Sequence, residues 1–405
     1  MRILIVNQPL NNRGDESAHK ALIRSIIRAL PNAHVQVLFV GSNEDSIRQF
    51  TVHSNVQYTN LKKGKFYSTF MKNGLYTGLF SIWNMHPTIR KVMKIIQHSD
   101  VVLCAPGGIC MGGFYNWQHL AYLYIAKRMN KKIVYYGRSF GPFSDETKRK
   151  RRFKEISYEL LHTFDFLAIR DQMTERLADE IGVRYFSTVD AAFLDEPQIQ
   201  IPNEVHSMIG TGEYMVLTPN VLVWHYSYKN IPQSVIHNFF ESIIKFMLKE
   251  YPTLTIVMLP QTFNYKKEID NDYNFLCELK MSIGSDRIVV IPDTYSSDIQ
   301  QSIISKSKFI IGSRYHSIIF AINMNRPFVA LIYEHKISGL LEKLDKRDCM
   351  VEISDIFNSE QKINKALLQI SQLLPVISDD AQMKEKARKI SNDCFDQFIS
   401  WVKAM

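Results

Sequence analysis

The 405-residue chain has no Cys-x-x-Cys pair, and its five cysteines, at 104, 110, 277, 349 and 394, are an odd number without the spacing of a metal knuckle. Neither a disulfide framework nor a zinc site follows from them, and a reducing cytosol fits best. No hydrophobic run approaches the roughly 20 residues of a membrane span. The first apolar run, Ile3 to Val6, stops at Asn7, too soon for the core of a signal peptide. No nucleic-acid recognition module is present either. The single dense basic run, Lys148-Arg149-Lys150-Arg151-Arg152, reads as a solvated helix face, with an anionic membrane surface as its remaining interest. These absences predict a cytoplasmic chain that meets a membrane only peripherally, at its inner face.

What is there has the balance of a folded protein: 46% hydrophobic and 22% charged residues. The length exceeds what one core usually supports, so two domains are expected. Lys and Arg number 49 against 40 Asp and Glu, a formal +9, which suits an anionic partner without identifying it.

Short apolar runs alternate with stretches of helical periodicity along both halves, the pattern of parallel sheets covered by helices. The first series has strands at 3–6, 35–40, 101–104, 133–136, 166–169 and 185–189, with helices between them. The pattern lapses at 194–212, where Pro197, Pro202, Gly210 and Gly212 mark a connection. A second series follows, with strands at 214–218, 255–259, 287–291, 309–311 and 327–332. The expected fold class is α/β, two Rossmann-like domains facing a cleft: an N-terminal domain over 1–195, a C-terminal domain over 213–375 and a closing helix within 376–405. Residues 62–85 interrupt the rhythm. Tyr67, Met71, Leu75, Leu79 and Trp83 recur there near every fourth position, beside Lys62, Lys63, Lys65 and Lys72. The stretch can lie in an anionic membrane interface or pack as a helical excursion on its own domain.

Ligands of open parallel sheets bind beyond the carboxyl ends of the strands, which directs attention to four loops. After the first strand, Gly14 allows a tight turn, and Asp15 or Glu16 can cap the helix or accept from sugar hydroxyls. After the third, Gly107 and Gly108 let backbone amides approach a ligand. Arg138 lies in the next turn, as a surface cation or a clamp on substrate. The fullest group is Gly312-Ser313-Arg314-Tyr315-His316-Ser317, between a strand and a helix. There Arg314 can hold a carboxylate or phosphate and His316 can exchange a proton near neutral pH. Lys336 follows the next strand and adds a cation to the same rim.

Taken in order, Gly14-Asp15-Glu16, Gly107-Gly108, Phe140-Gly141-Pro142, Ile169-Arg170-Asp171, Val189-Asp190-Ala191, Gly312 to Ser317 and Tyr333 to Gly339 resemble the polysaccharide pyruvyl transferase family. The resemblance implies a GT-B-like fold and an enzyme that uses phosphoenolpyruvate as co-substrate, with neither cofactor nor metal. It further implies a glycan or lipid-linked oligosaccharide acceptor of cell-surface polymer synthesis. Within it, Arg314, Ser317 and Lys336 are expected to cradle phosphoenolpyruvate, with Arg170 adding charge and His316 acting as general acid. Asp15 or Asp190 is expected to orient or deprotonate acceptor hydroxyls, with Gly14, Glu16, Gly108 and Arg138 lining the substrate. Ile109 stands where a third glycine is usual, and the turn holding Arg138 is often less charged.

Two other readings remain. A glycosyltransferase with a nucleotide-sugar donor would share the fold, but no base pocket is evident, and Asp270-Asn271-Asp272, which mimics a D-x-D metal motif, reads as a solvated face. A non-catalytic carbohydrate-binding protein could present Trp224, Tyr226 and Tyr228 to a glycan.

Overall fold

A computed structural model describes residues 1–405 apart from 52–55, 223–227, 229, 264–270 and 334. Trp224, Tyr226 and Asp270, singled out above, lie outside the described residues. The chain divides into two compact units: residues 1–10, 15–195 and 389–405 form the first, and residues 11–14 and 196–388 the second.

The first unit is built on a seven-stranded parallel sheet. Its strands are β1 (Arg2–Val6), β2 (His34–Val40), β3 (Val56–Leu61) and β4 (Val101–Cys104), then β6 (Lys132–Tyr135), β8 (Phe166–Ile169) and β9 (Phe186–Ser187), in the order β3-β2-β1-β4-β6-β8-β9. A separate parallel pair joins β5 (Gly107–Met111) and β7 (Arg138–Phe140). Its helices are α1 (Arg13–Ala29), α2 (Glu44–Phe50), α3 (Tyr67–Thr77), α4 (Pro87–Gln97), α5 (Trp117–Arg128), α6 (Lys148–Leu161) and α7 (Gln172–Glu180). The unbroken apolar run of β1 makes it a central strand with both faces covered. Leu4 and Val6 join one core with residues of α3 to α6, while Ile3 and Ile5 join the other with residues of α1. That second core also takes Cys394, Phe398 and Val402 of α15 (Ala381–Lys403).

The second unit repeats the scheme with six parallel strands: β10 (Tyr214–Thr218), β11 (Thr255–Met258), β12 (Ile288–Val290), β13 (Ile310–Gly312), β14 (Phe328–Ile332) and β15 (Met350–Glu352). Their order is β12-β11-β10-β13-β14-β15. The remaining helices are α8 (Asn203–Ile209), α9 (Gln233–Glu250), α10 (Asp272–Ile283), α11 (Ser297–Ser305), α12 (Tyr315–Asn323), α13 (His335–Lys343) and α14 (Glu360–Leu373). Helix α8 falls where the sequence reads as a plain connection; Val205 and Ile209, one turn apart, are both buried and fix it.

The interruption at 62–85 is helical and faces inward. Tyr67, Met71, Leu75 and Trp83 are buried in the core, Tyr67 bonds Tyr122 through their hydroxyls at 2.8 Å, and only Leu79 of that series is exposed, at 58%. Although Phe66, Leu79 and Met85 of the same segment are exposed, the fourfold periodicity is mainly a packing stripe. Burying each such side chain is worth about 1.5–3 kcal/mol.

Candidate functional site

The densest group of expected residues lies in the second unit, where strands β10, β11 and β13 end. Neighbouring β13 and β14 run parallel, so the loops carrying Arg314 to Ser317 and Lys336 leave from the same sheet edge. At Gly312 a Cβ would stand 2.5 Å from Ser317 Oγ, so only glycine lets the helix start fold this tightly onto the strand. The Ser317 hydroxyl donates to the Arg314 carbonyl at 2.6 Å and accepts from Thr218 Oγ1 at 2.9 Å. It is fully buried, so its role is to lock the first turn of α12, and the amides of that turn, more than the side chain, are what a ligand would meet.

The segment 11–14 belongs to this group. Arg13 N donates to the Gln261 carbonyl at 2.8 Å, Phe263 N donates to the Asn11 carbonyl at 3.0 Å, and Asn12 bridges Thr262 in antiparallel sense. Arg13 is buried, its guanidinium lying 4.3 Å over the Phe263 ring and donating to the Asp293 carbonyl. Gly14 comes next, and the imidazole of His316 takes the space a side chain would need: a Cβ there would be 1.8 Å from His316 Cγ and Nδ1. Two motifs about 300 residues apart are thus one contact, with Gly14 the seat of the His316 ring.

Arg314 is held by Thr262 and Asp272, neither of which the sequence connects with it. Its Nη2 donates to Thr262 Oγ1 at 2.8 Å and to Asp272 Oδ1. The other oxygen of Asp272 accepts from the Gln261 and Thr262 amides at 2.9 and 2.8 Å. Asp272 is completely buried, which corrects its reading as part of a solvated face. A buried pair of this kind contributes geometry more than stability, because desolvation offsets much of the attraction. The charge at Asp293 differs: burial raises its pKa, with Arg13 pulling the other way. Lys336 lies partly buried in the first turn of α13.

In the first unit the expected residues fall into two groups. Arg170 and Asp190 form a buried ion pair, and Asp190 also accepts from the Ala192 amide at 2.9 Å. Each therefore has the other as partner, and Asp171 caps α7 through the Thr174 amide at 2.9 Å. The second group surrounds the turn after β4. Arg138 is buried and donates to three backbone carbonyls, of Asn7 at 2.6 Å, Ala105 at 3.0 Å and Gly108 at 2.9 Å. It is not a surface cation; it clamps the loops themselves. Glu16 differs from expectation in the same way, being buried and paired with Lys20 at 2.5 Å. Asp15 stays half-buried, its Oδ1 2.9 Å from where a Cβ on Gly107 would stand, and Gly108 has open space beside it.

Comparisons with known proteins bear on the family and the fold. The model of one protein family, polysaccharide pyruvyl transferase, matches residues 12–335. The amylovoran biosynthesis protein AmsJ of Erwinia amylovora is 21% identical over 393 residues, covering 91% of this chain and 92% of that protein. Among solved structures, UDP-GlcNAc 2-epimerase from Neisseria meningitidis, bound to UDP-GlcNAc, superposes with a TM-score of 0.59 at 12% identity over 100% of both chains. Trehalose-6-phosphate synthase OtsA gives 0.59 at 10% identity, over 100% of this chain and 99% of that one. At such identities these two speak for the fold alone, which is the GT-B-like one.

Proposed function

The chain belongs to the polysaccharide pyruvyl transferase family, and from that membership we propose that it moves pyruvate from phosphoenolpyruvate onto two hydroxyls of one sugar in a cell-surface glycan precursor. The products would be a pyruvate ketal and phosphate. The observation that carries this reading is the seating of His316 against Gly14 at the start of α12, on the sheet edge that also bears Arg314 and Lys336.

Phosphoenolpyruvate presents a carboxylate and a phosphate. Arg314, oriented by Asp272 and Thr262, the first amides of α12 and Lys336 make a cradle of matching charge. In the proposed reaction His316 gives its proton to the methylene carbon of the enol, and C2 becomes an oxocarbenium-like centre that a sugar hydroxyl attacks. The second hydroxyl then displaces phosphate, which leaves with that hydroxyl's proton. Asp15, the half-buried carboxylate that follows Gly14 in the chain, is the candidate to take the proton of the first hydroxyl. Asp190 keeps Arg170 as its partner and supports the shape of its loop. Holding two hydroxyls near one carbon is chiefly an entropic task, which a fixed acceptor site performs.

The acceptor we favour is a lipid-linked oligosaccharide, met peripherally at the inner face of the cytoplasmic membrane. What supports this is the start of α6, where Lys148, Arg149 and Arg151 are exposed. A helix N-terminus ordinarily favours anions, so cations there suit an external anionic surface.

Mass spectrometry of lipid-linked acceptors incubated with phosphoenolpyruvate tests the reading. The expected product gains the mass of pyruvate less one water, with one phosphate released. Calorimetric binding of nucleotide sugars, with no heat from phosphoenolpyruvate, would instead support a glycosyltransferase.

A further inference from the structure

Cys104 closes β4 and Cys110 lies in β5, so the two flank the turn that carries Gly107 and Gly108. Although six residues apart in sequence, their sulfurs are 3.6 Å from each other, and both side chains are buried. The surroundings are polar. Asn7 Nδ2 lies 3.7 Å from each sulfur, Arg138 Nη1 3.9 Å from Cys104 Sγ, and His119 Nδ1 3.9 Å from Cys110 Sγ. Cysteines that merely fill volume need none of these donors. Among the described residues no group of three or more His, Cys, Asp or Glu side chains is arranged to hold a metal ion.

We propose that Cys104 and Cys110 form a redox-modification site, a dithiol that a small peroxide converts reversibly to a disulfide. Cys104 is the attacking sulfur. Burial raises its pKa, but the hydrogen bond from Cys110 and the charge of Arg138 outweigh burial and bring it to about 7. Cys110 is driven upward by burial and by its neighbour, so it keeps its proton and acts second.

The Cys104 thiolate attacks one peroxide oxygen: an S–O bond forms, the O–O bond breaks, and hydroxide leaves to become water on taking a proton. Cys110 then loses its proton and attacks Cys104 Sγ, the S–S bond forms, and the sulfenic oxygen departs as a second water. Two thiols and one hydrogen peroxide become one disulfide and two waters. A dithiol reductant reverses the change by exchange. Closure draws the sulfurs from 3.6 Å to about 2.05 Å, around a ring that contains Gly107 and Gly108. Because Asp15 Oδ1 lies against Gly107, the oxidised turn would alter the surroundings of that carboxylate.

The test needs no enzymatic activity and is independent of the pyruvyl transfer reading. The reduced full chain is titrated with hydrogen peroxide, denatured, alkylated and digested with trypsin. Both cysteines fall in the peptide between Lys94 and Lys127, which contains no other Lys or Arg. The expected product is that peptide, unalkylated and two hydrogens lighter, appearing before oxidation of the more exposed Cys277 and disappearing with dithiothreitol. In Cys110→Ser the same treatment should leave a sulfenic acid on Cys104, trapped by dimedone. Oxidation of Cys277 first, or a wild-type Cys104 sulfenic acid that never resolves, would overturn the proposal. Should the serine variant fail to fold by circular dichroism, the order of oxidation in the wild type alone decides.

Discussion

Replacing Gly14 by alanine brings a methyl carbon to 1.8 Å from Cγ and Nδ1 of His316, where ordinary contact begins near 3.4 Å. Two ring atoms are struck at once, so rotating the imidazole does not clear it, and the ring or the segment 11–14 must retreat. That segment is pinned by backbone bonds to Gln261 and Phe263, at 2.8 and 3.0 Å, so the ring is the part that yields. The steric cost is that of overpacking, about 1–3 kcal/mol of stability. The functional cost is larger, since a misplacement of about 1 Å in a catalytic group costs on the order of 100-fold. Phosphate release from phosphoenolpyruvate, with acceptor present, is the assay, run on Gly14→Ala, His316→Ala and the double variant. If Gly14 acts through His316, each single change should lower turnover by about 100-fold or more, and the double should be scarcely worse than His316→Ala, because one removed function cannot be lost twice. A folded Gly14→Ala enzyme within a few-fold of wild type, or losses that multiply in the double, would refute the reasoning.

Asp272→Ala leaves Arg314 buried beside a missing partner and orphans two amides, so a loss of about 3–5 kcal/mol in denaturant unfolding is expected, together with weaker phosphoenolpyruvate binding by calorimetry. His19 titrates in a window set by its burial. Desolvation and the charge of Lys20 lower its pKa from 6.5 to about 3, so the folded state holds it neutral while the unfolded chain takes up a proton below 6.5. Its stabilising share is complete above pH 6.5 and erodes as pH falls toward 3, by up to about 1.4 kcal/mol per pH unit. A His19→Gln variant should show a shallower fall of the urea midpoint between pH 7 and 5. Reversing Lys148, Arg149 and Arg151 to Glu should lower sedimentation with anionic vesicles by at least about tenfold at low salt; equal recovery of variant and wild type in the supernatant would dispose of membrane contact through α6.

The central strands are legible because they are unbroken apolar runs: β1, β4, β8 and β14 are buried along almost their whole length. The strands that escape notice are at or near edges or carry glycine. β3 is Val-Gln-Tyr-Thr-Asn-Leu and half-exposed, β15 is three residues long, and β5 opens with two glycines, so none carries a hydrophobic signal. For the site, strand-end loops give away Gly14, Arg314 and His316, since polar residues at a turn between apolar runs stand out. The residues that orient them do not. Asp272 lies 42 residues from Arg314, and Arg170 pairs with Asp190 across 20; such pairings depend on how the sheet brings loops together, which local spacing does not encode. The same holds for the two sulfurs, whose six-residue separation has no meaning until β4 and β5 are placed.

Arg138 ties its loops together chiefly through the main chain. Three of its hydrogen bonds go to the carbonyls of residues 7, 105 and 108, which every amino acid supplies. The framework of the turn is therefore insulated from the side chains it displays. Side chains at positions such as Ile109 and Phe114 can thus change while the main-chain scaffold beneath them stays as it is.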